Sequence, residues 1–430
     1  MKKIDIGILL ASQIEFELVG NFLFEGAHCC GKNSVFIEEN SIVFNGKRHE
    51  RLCFKPLAKE AAFVLHDVVI GINFHWQRTE NQKFKGELLF IVEEGKVRAI
   101  NRIDVEEYLV SVISSEMSST SSLELLKAHA IVSRSWLYAQ LNRKERVVAG
   151  KLGWENEEEI VRWYAREDHT LFDLCADDHC QRYQGITRAM NPNVVRAVEE
   201  TSEVVLKYDG EVCDARFSKC CGGVTELFSS CWENVDYGYL AALRDSENGT
   251  SLPDLTTEEG ARAWIECGAE SFCSTSDATA LSQVLNGYDR ETNDFYRWCV
   301  EYSQKELSEL ISSRSGIDFG VVEELLPLER GASGRIIKLR IVGNKRSVVV
   351  GKELEIRRWL SASHLYSSAF VVDKVFDETE NSCYFVLKGA GWGHGVGLCQ
   401  IGAAMMGEKG YSYKEILLHY YPGTVLEKVV

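Results

Sequence analysis

Asn101-Arg102-Ile103-Asp104-Val105-Glu106-Glu107-Tyr108-Leu109-Val110-Ser111-Val112-Ile113-Ser114-Ser115-Glu116-Met117 is the stretch from which the fold is read. Asp104 is a candidate helix cap, and Glu107 follows three residues on, in capping-box register. Tyr108, Leu109, Val112 and Ile113 share one face, which predicts a helix ending near Glu116-Met117. Upstream, Leu88-Leu89-Phe90-Ile91-Val92, a Glu93-Glu94-Gly95-Lys96 turn and Val97-Arg98-Ala99-Ile100 read as a hairpin. Downstream, Ser118-Ser119-Thr120-Ser121-Ser122 breaks the chain. Ser121 with Glu124 offers a second capping box, and Leu126, Ala130, Ser133 and Leu137 mark one stripe of a second helix. A strand pair thus leads into a pair of helices.

Working outward, residues 1–83 read as a β-rich region. Ile4-Asp5-Ile6-Gly7-Ile8 and Ile14-Glu15-Phe16-Glu17-Leu18 alternate apolar and polar, the period of a half-buried strand. Val35-Phe36-Ile37 and Ile42-Val43-Phe44 flank a polar Glu38-Glu39-Asn40 turn. Residues 145–190 are polar and irregular, with Trp, His and Cys gathered near 163–183. Residues 240–330 are acidic, punctuated by Ser, Thr and Asn, and expected to be mostly helical. Strand-like runs return at Ile336-Ile337-Lys338-Leu339-Arg340-Ile341-Val342, and the last 50 residues are Gly-rich and then helical.

The 430 residues are enough for a large buried core, and 45% hydrophobic with 26% charged residues is an ordinary globular composition. Lys+Arg 48 against Asp+Glu 64 leaves a net charge of −16. Nucleic-acid binding draws its affinity from basic residues on phosphates, so a nucleic-acid partner is not expected. No apolar run approaches the ~20 residues that span a bilayer, so no membrane span is expected. Met1-Lys2-Lys3 is not followed by an apolar h-region, so no signal peptide is visible. The 14 cysteines are too sparse for a disulfide scaffold and suit a reducing compartment with one metal site.

Four local patterns could carry chemistry. In Gly389-Ala390-Gly391-Trp392-Gly393-His394-Gly395-Val396-Gly397, glycine takes every second position. As an extended strand this leaves one face bare and puts Trp392 and His394 on the other. Such a strand serves either close packing or a flat ligand. Glu116, at the end of an apolar helix face, is either a solvated helix-end residue or a general acid in a cleft. His169, Cys175 and Cys180, with His179 beside the last, offer donors suited to tetrahedral zinc, without the tight spacing of a zinc finger. Cys220-Cys221-Gly222-Gly223 is either a tight turn or a thiol nucleophile served by His394 or His419.

Together these blocks resemble the stage II sporulation protein D and amidase enhancer family. Phe84 to Met117 is similar to its entry strand and first helix, and Leu123 to Ala139 to its second. Arg216 to Glu226 resembles its Gly-Gly-x-Thr-Glu turn. Ile356-Arg357-Arg358 with Leu360, and Ser367-Ser368-Ala369-Phe370, resemble a further block. Gly391 to Ala404 continuing through His419-Tyr420-Tyr421-Pro422-Gly423-Thr424 carries the most specific likeness. The likeness covers residues 84–430, with 145–190 as a zinc-binding insertion and 240–330 as a helical one. Ser118 stands where the family usually has proline.

The resemblance implies a mixed α+β fold, with a sheet-rich domain whose central helix pair forms a glycan cleft, and a place in the cell envelope. It implies lytic transglycosylase action on peptidoglycan glycan strands stripped of stem peptides, with Glu116 as the catalytic acid and base. Arg134, Trp392, His394 and Gln400 are then substrate-binding, and a structural zinc sits on His169, Cys175 and Cys180. The amidase enhancer branch implies another reading: a non-catalytic glycan-binding protein that stimulates a cell-wall amidase. Cysteine hydrolase chemistry at Cys220 or Cys221 is a third.

Overall fold

The computed structural model describes residues 2–71, 78–118, 121–143, 152–164, 169–177, 180–187, 191–247, 252–284, 294–379 and 382–429. His179 lies outside them. Among the described residues the α-helices are α1 (Val105–Glu116), α2 (Leu123–Arg143), α3 (Pro192–Glu200), α4 (Glu258–Cys267), α5 (Ala278–Val284), α6 (Gln304–Ser315), α7 (Glu353–Trp359), α8 (Gln400–Glu408) and α9 (Tyr413–Tyr420). The architecture is a sheet-rich α+β fold in two compact units. One comprises Met1–Ser119 with Arg166–Ser202, the other Thr120–Ala165 with Glu203–Val430.

The first unit is built on one large sheet. Its strands are β1 (Lys3–Ala11), β2 (Gln13–Phe24), β3 (Ala27–Glu38), β4 (Ser41–Phe44), β5 (Lys47–His49), β6 (Arg51–Pro56), β7 (Ala62–Ile70), β8 (Arg78–Phe84), β9 (Glu87–Glu93) and β10 (Lys96–Asp104). The order runs from the short strand Leu174–Cys175 through β1, β10, β9, β6, β2, β3 and β4 to β5, with β7 and β8 branching from β2. The strands of residues 1–83 and those of 87–104 therefore share a sheet. Alternation does what it predicts: Ile14, Phe16 and Leu18 are buried while their β2 neighbours face outward. The Phe16 ring meets those of Phe54 and Phe90 at 5.4 and 5.0 Å.

β10 runs directly into α1. Asp104 caps that helix, but its carboxylate accepts from the Glu106 N–H, at 3.3 Å. The expected capping box with Glu107 is replaced by a simple cap. The helix ends at Glu116, with the Met117 N–H returning to the Ile113 carbonyl.

In the second unit, α2 begins one residue later than its expected cap. Ser122 Oγ accepts from the Leu125 N–H, whereas the Ser121 hydroxyl donates to the Gln283 carbonyl. Nor is α2 amphipathic: Leu125, Leu126, His129, Ile131, Arg134 and Leu137 are fully buried and lie on several faces. The strand Val204–Tyr208, α8 and α9 pack around it. A five-stranded sheet takes the order 153–155, 159–162, 347–351, 336–343, 322–330. A three-stranded one sets Ser382–Ala390 between Arg297–Ser303 and Phe370–Asp377. Leu307, Ile311, Phe319, Leu339, Trp359 and Phe385 form the core shared by these sheets.

Two expectations change here. Residues 240–330 hold α4, α5 and α6 but also the strands Arg297–Ser303 and Val322–Arg330, each paired into a sheet. The glycine run does not continue as an extended strand past Ala390: Gly391, Gly393, Gly395 and Gly397 have φ of 76, 92, 76 and 70°. Glycine recurs because the backbone turns into the left-handed region at each of these positions.

Candidate functional site

Glu116 belongs to the first unit. It is half-buried at the C-terminal end of α1, and its Oε1 accepts the Arg182 N–H at 3.2 Å. Arg182 lies two residues beyond Cys180, on the segment carrying the His/Cys triad. That segment is tied to the sheet: Leu174–Cys175 pairs in parallel with Ile6 and Gly7 of β1. Gln181 accepts from the Tyr108 hydroxyl of α1 at 3.2 Å. Tyr183 stacks on Tyr108 at 5.2 Å and donates to Asn101 Oδ1. A loop with little regular structure thus reaches Glu116 through contacts to β1, β10 and α1.

His169, Cys175 and Cys180 come together as the sequence suggested. Their donor atoms all lie within 4.8 Å of one another, and Cys180 Sγ is 3.7 Å from His169 Nε2. A tetrahedral zinc with bonds near 2.3 Å to sulfur and 2.0–2.1 Å to nitrogen separates those atoms by about 3.6 Å. The donor set of these three described residues therefore fits zinc. The His169 ring is braced by Phe172, stacked at 4.6 Å, and Phe172 in turn covers Gly7. A pocket of about 250 Å³ opens beside the triad, lined among others by Gly7, Ile70, Arg98 and Tyr183; Glu116 is not among its lining residues.

The other expected residues belong to the second unit. Arg134 is fully buried on α2 and donates to the Val204 carbonyl at 3.0 Å. Gln400, at the start of α8, is 2% exposed, with its Nε2 3.2 Å from His129 Nε2. Both side chains are engaged in the interior. Trp392 and His394 retain exposed surface. Trp392 stacks on Phe295 at 4.9 Å and leans on Tyr366 at 4.8 Å. His394 Nδ1 accepts from the Val396 N–H at 3.0 Å, and its ring meets Trp232 edge-on at 5.0 Å. Burial, then Arg216, Arg335 and Arg357, hold the His394 imidazole well below its usual pKa, so the ring is neutral.

The turn Cys220-Cys221-Gly222-Gly223 is a packing element. Both thiols are buried, and among the described residues neither hydrogen-bonds to a histidine. That removes the geometry a cysteine hydrolase needs. The sequence reading missed the partners of Cys221, namely Asp245, Cys273 and Cys399. They are spread along the chain and form no local motif. The contact of the Arg182 backbone N–H with Glu116 was equally invisible, because any residue type supplies that group.

The fold and these residues define a sheet-rich α+β protein with a helix-end glutamate beside a His/Cys loop. Residues 93–208 match the family model described as stage II sporulation protein, and residues 226–397 match a domain of unknown function (DUF8618). An uncharacterized protein of Brachyspira hyodysenteriae is 28% identical over 79% of this chain and 71% of its own length. The amidase enhancer of Bacillus subtilis is 25% identical over 74% of this chain but only 40% of its own. Stage II sporulation protein D of Bacillus amyloliquefaciens is 21% identical over 76% and 74%. These matches make the chain similar to the stage II sporulation protein D and amidase enhancer family. Among the described residues no helix is long and apolar enough to cross a membrane.

Proposed function

We propose that the protein acts on the bacterial cell wall, cleaving peptidoglycan glycan strands that lack stem peptides in the manner of a lytic transglycosylase. The observation that carries this reading is the half-buried Glu116 carboxyl, held by the Arg182 N–H from the triad loop. Glu116 in its acid form protonates the bridging glycosidic oxygen. As carboxylate it then takes the proton from the muramic C6 hydroxyl, which attacks C1 and closes a 1,6-anhydro ring. No water nucleophile and no second carboxylate are needed, unlike in ordinary glycosidases.

His169, Cys175 and Cys180 would hold zinc, which on this reading cross-links the loop to its own short strand Leu174–Cys175, the strand that pairs with β1. The loop residues then orient Glu116 through Arg182. In the second unit, taken by itself, the partly exposed Trp392 is an aromatic residue that would meet a sugar, and His394 follows two residues on. Arg134 and Gln400 support α2 and α8 from within.

The test is a digest of peptide-stripped glycan strands by wild type and Glu116→Gln, read by mass spectrometry. Anhydro-muramic ends from wild type alone are expected, with the variant keeping its far-ultraviolet circular dichroism. Equal product from both proteins would refute the role of Glu116. The likeness to the amidase enhancer supports a second reading, glycan binding that stimulates a cell-wall amidase. Strands retained without cleavage by either protein, with a cell-wall amidase stimulated, would establish that reading.

A further inference from the structure

Cys221, Asp245, Cys273 and Cys399 lie in the second unit and converge from four separate stretches of chain. Their donor atoms all lie within 4.8 Å of one another, and all four residues are buried. Cys221 Sγ is 3.5 Å from Cys273 Sγ and 3.5 Å from Asp245 Oδ2. Around a tetrahedral zinc, two sulfurs stand about 3.8 Å apart, and a sulfur and an oxygen about 3.6 Å. We propose that these four residues form a closed metal centre for a thiophilic divalent cation, with zinc as the resident ion. It is separate from the His169, Cys175 and Cys180 cluster and does not depend on the proposed wall activity.

The groups around the donors are arranged as an outer shell. The Cys221 N–H donates to Cys399 Sγ at 3.2 Å, and Ser271 Oγ lies 3.5 Å from Cys273 Sγ. Asp245 receives the Cys273 N–H on Oδ2 at 3.1 Å and the Tyr420 hydroxyl on Oδ1 at 2.7 Å. Such contacts fix ligand orientation, and N–H donors to thiolate sulfur temper its charge. His419 Nε2 lies 3.6 Å from Asp245 Oδ1, outside hydrogen-bond range. The Cys220 thiol reaches the Cys273 and Cys399 sulfurs as a further neighbour.

The packing makes room for this arrangement. A Cβ on Gly402 would lie 2.3 Å from the Tyr420 hydroxyl and 2.7–2.8 Å from the Asp245 carboxylate, so a side chain there is excluded. Gly222 and Gly223, at φ of 80 and 102°, let the chain turn directly after Cys221. A buried carboxylate facing three thiols is a poor hydrophobic core, because the interior offers it little compensating charge. A dication supplies that charge. On binding, three thiol protons leave to solvent, four metal–ligand bonds form and no electron is transferred. With four protein ligands the centre is structural, joining the turn at 221, the segment at 273 and the start of α8.

The test uses the full chain, purified under reducing conditions without a histidine tag, with zinc counted by plasma mass spectrometry. The double variant His169→Ala/Cys180→Ser is expected to keep one zinc per chain, and its cobalt form to show thiolate-to-metal charge-transfer absorption. Cys273→Ser is expected to hold one zinc fewer than wild type. In the wild type, Cys221, Cys273 and Cys399 should resist alkylation until a chelator is added, a readout that needs no variant to fold. A double variant that folds but holds no zinc would overturn the proposal. So would alkylation of all three cysteines without chelator, or a Cys221–Cys273 disulfide in the reduced preparation. None of these outcomes bears on cleavage at Glu116, so the two readings fail independently.

Discussion

Replacing Glu226 by Gln tests whether the last residue of the Gly-Gly-x-Thr-Glu turn is a structural keystone. Glu226 is fully buried. Its Oε1 accepts the Leu227 N–H, the Ser230 hydroxyl and the Ala332 N–H at 2.8, 3.0 and 3.0 Å. Its Oε2 accepts the Ser333 N–H at 3.1 Å and the Ser333 hydroxyl at 2.6 Å. All five partners donate, so an amide NH₂ at either oxygen meets donors only. The cheaper orientation puts the NH₂ at Oε2 and forfeits two hydrogen bonds to a charged acceptor. At about 1.5–3 kcal/mol each, the loss is about 3–6 kcal/mol. The damage also spreads, because Ser333 Oγ accepts from Arg335, whose guanidinium holds the Gly393 carbonyl. The assay is urea denaturation of wild type, Glu226→Gln and the exposed control Glu301→Gln. The control should fall within about 0.5 kcal/mol of wild type, as surface substitutions do. A loss below about 1 kcal/mol for Glu226→Gln would refute the account of Glu226 as the hub of this turn.

Other consequences follow from the same contacts. A Cβ on Gly7 would lie 2.7 Å from the Phe172 ring that braces His169. Gly7→Ala should therefore cost about 1–3 kcal/mol by overpacking and, on the proposal that the triad holds zinc, speed its loss to a chelator. Gly395→Ala combines a φ of 76° with a Cβ 2.4–2.6 Å from the buried Arg335 guanidinium. A thermal melt should register a loss of about 2–5 kcal/mol, the left-handed and overpacking costs together. Burial, then Lys219, push the His129 imidazole down to about 3 from 6.5. Below pH 6.5 the unfolded chain takes up the proton before the folded one, so stability is full above 6.5 and falls as pH drops toward 3. The slope from this group is at most about 1.4 kcal/mol per pH unit. Urea midpoints at pH 7 and pH 5 should converge more in His129→Gln than in wild type, and an unchanged pH dependence would refute this.

What the sequence disclosed follows the range of the interaction concerned. The strand alternation at Ile14, Phe16 and Leu18 and the helix at 105–116 are set by neighbours a few residues away, so they were legible. The triad was legible too, because His169, Cys175 and Cys180 share one loop. The start of α2 was misplaced by one residue because Ser121 and Ser122 are chemically equivalent caps, and a long-range bond to Gln283 takes Ser121. The amphipathic stripe on α2 gave way to burial on several faces once the strand 204–208, α8 and α9 surrounded the helix. The glycine run kept its residues but changed its meaning. Its spacing of two fits a bare strand face and a recurring left-handed turn equally well, and only the partners decide. Here those are the Cys220 carbonyl, the Arg335 guanidinium and the Arg216 carbonyl, each within 3 Å of a hypothetical Cβ on Gly391, Gly395 or Gly397.

The motif residues divide by burial, and burial separates the two kinds of role. Glu226, Arg335, Arg134 and Gln400 are at most 2% exposed and spend their polar groups on the interior. A side chain so enclosed acts on a ligand only through what it positions. Glu116 differs: it is half-buried, and the Arg182 N–H engages one of its two carboxylate oxygens. Arg182 is held by a loop that reaches β1 through Leu174–Cys175, α1 through Gln181, and β10 through Tyr183. The loop that carries this donor is tied at three points, and the zinc cross-link proposed at His169, Cys175 and Cys180 would tighten it further. Orientation of an acid by a backbone N–H makes no demand on the residue type at 182. The loop contacts, and not the identity of that arginine, are then what the geometry at Glu116 rests on.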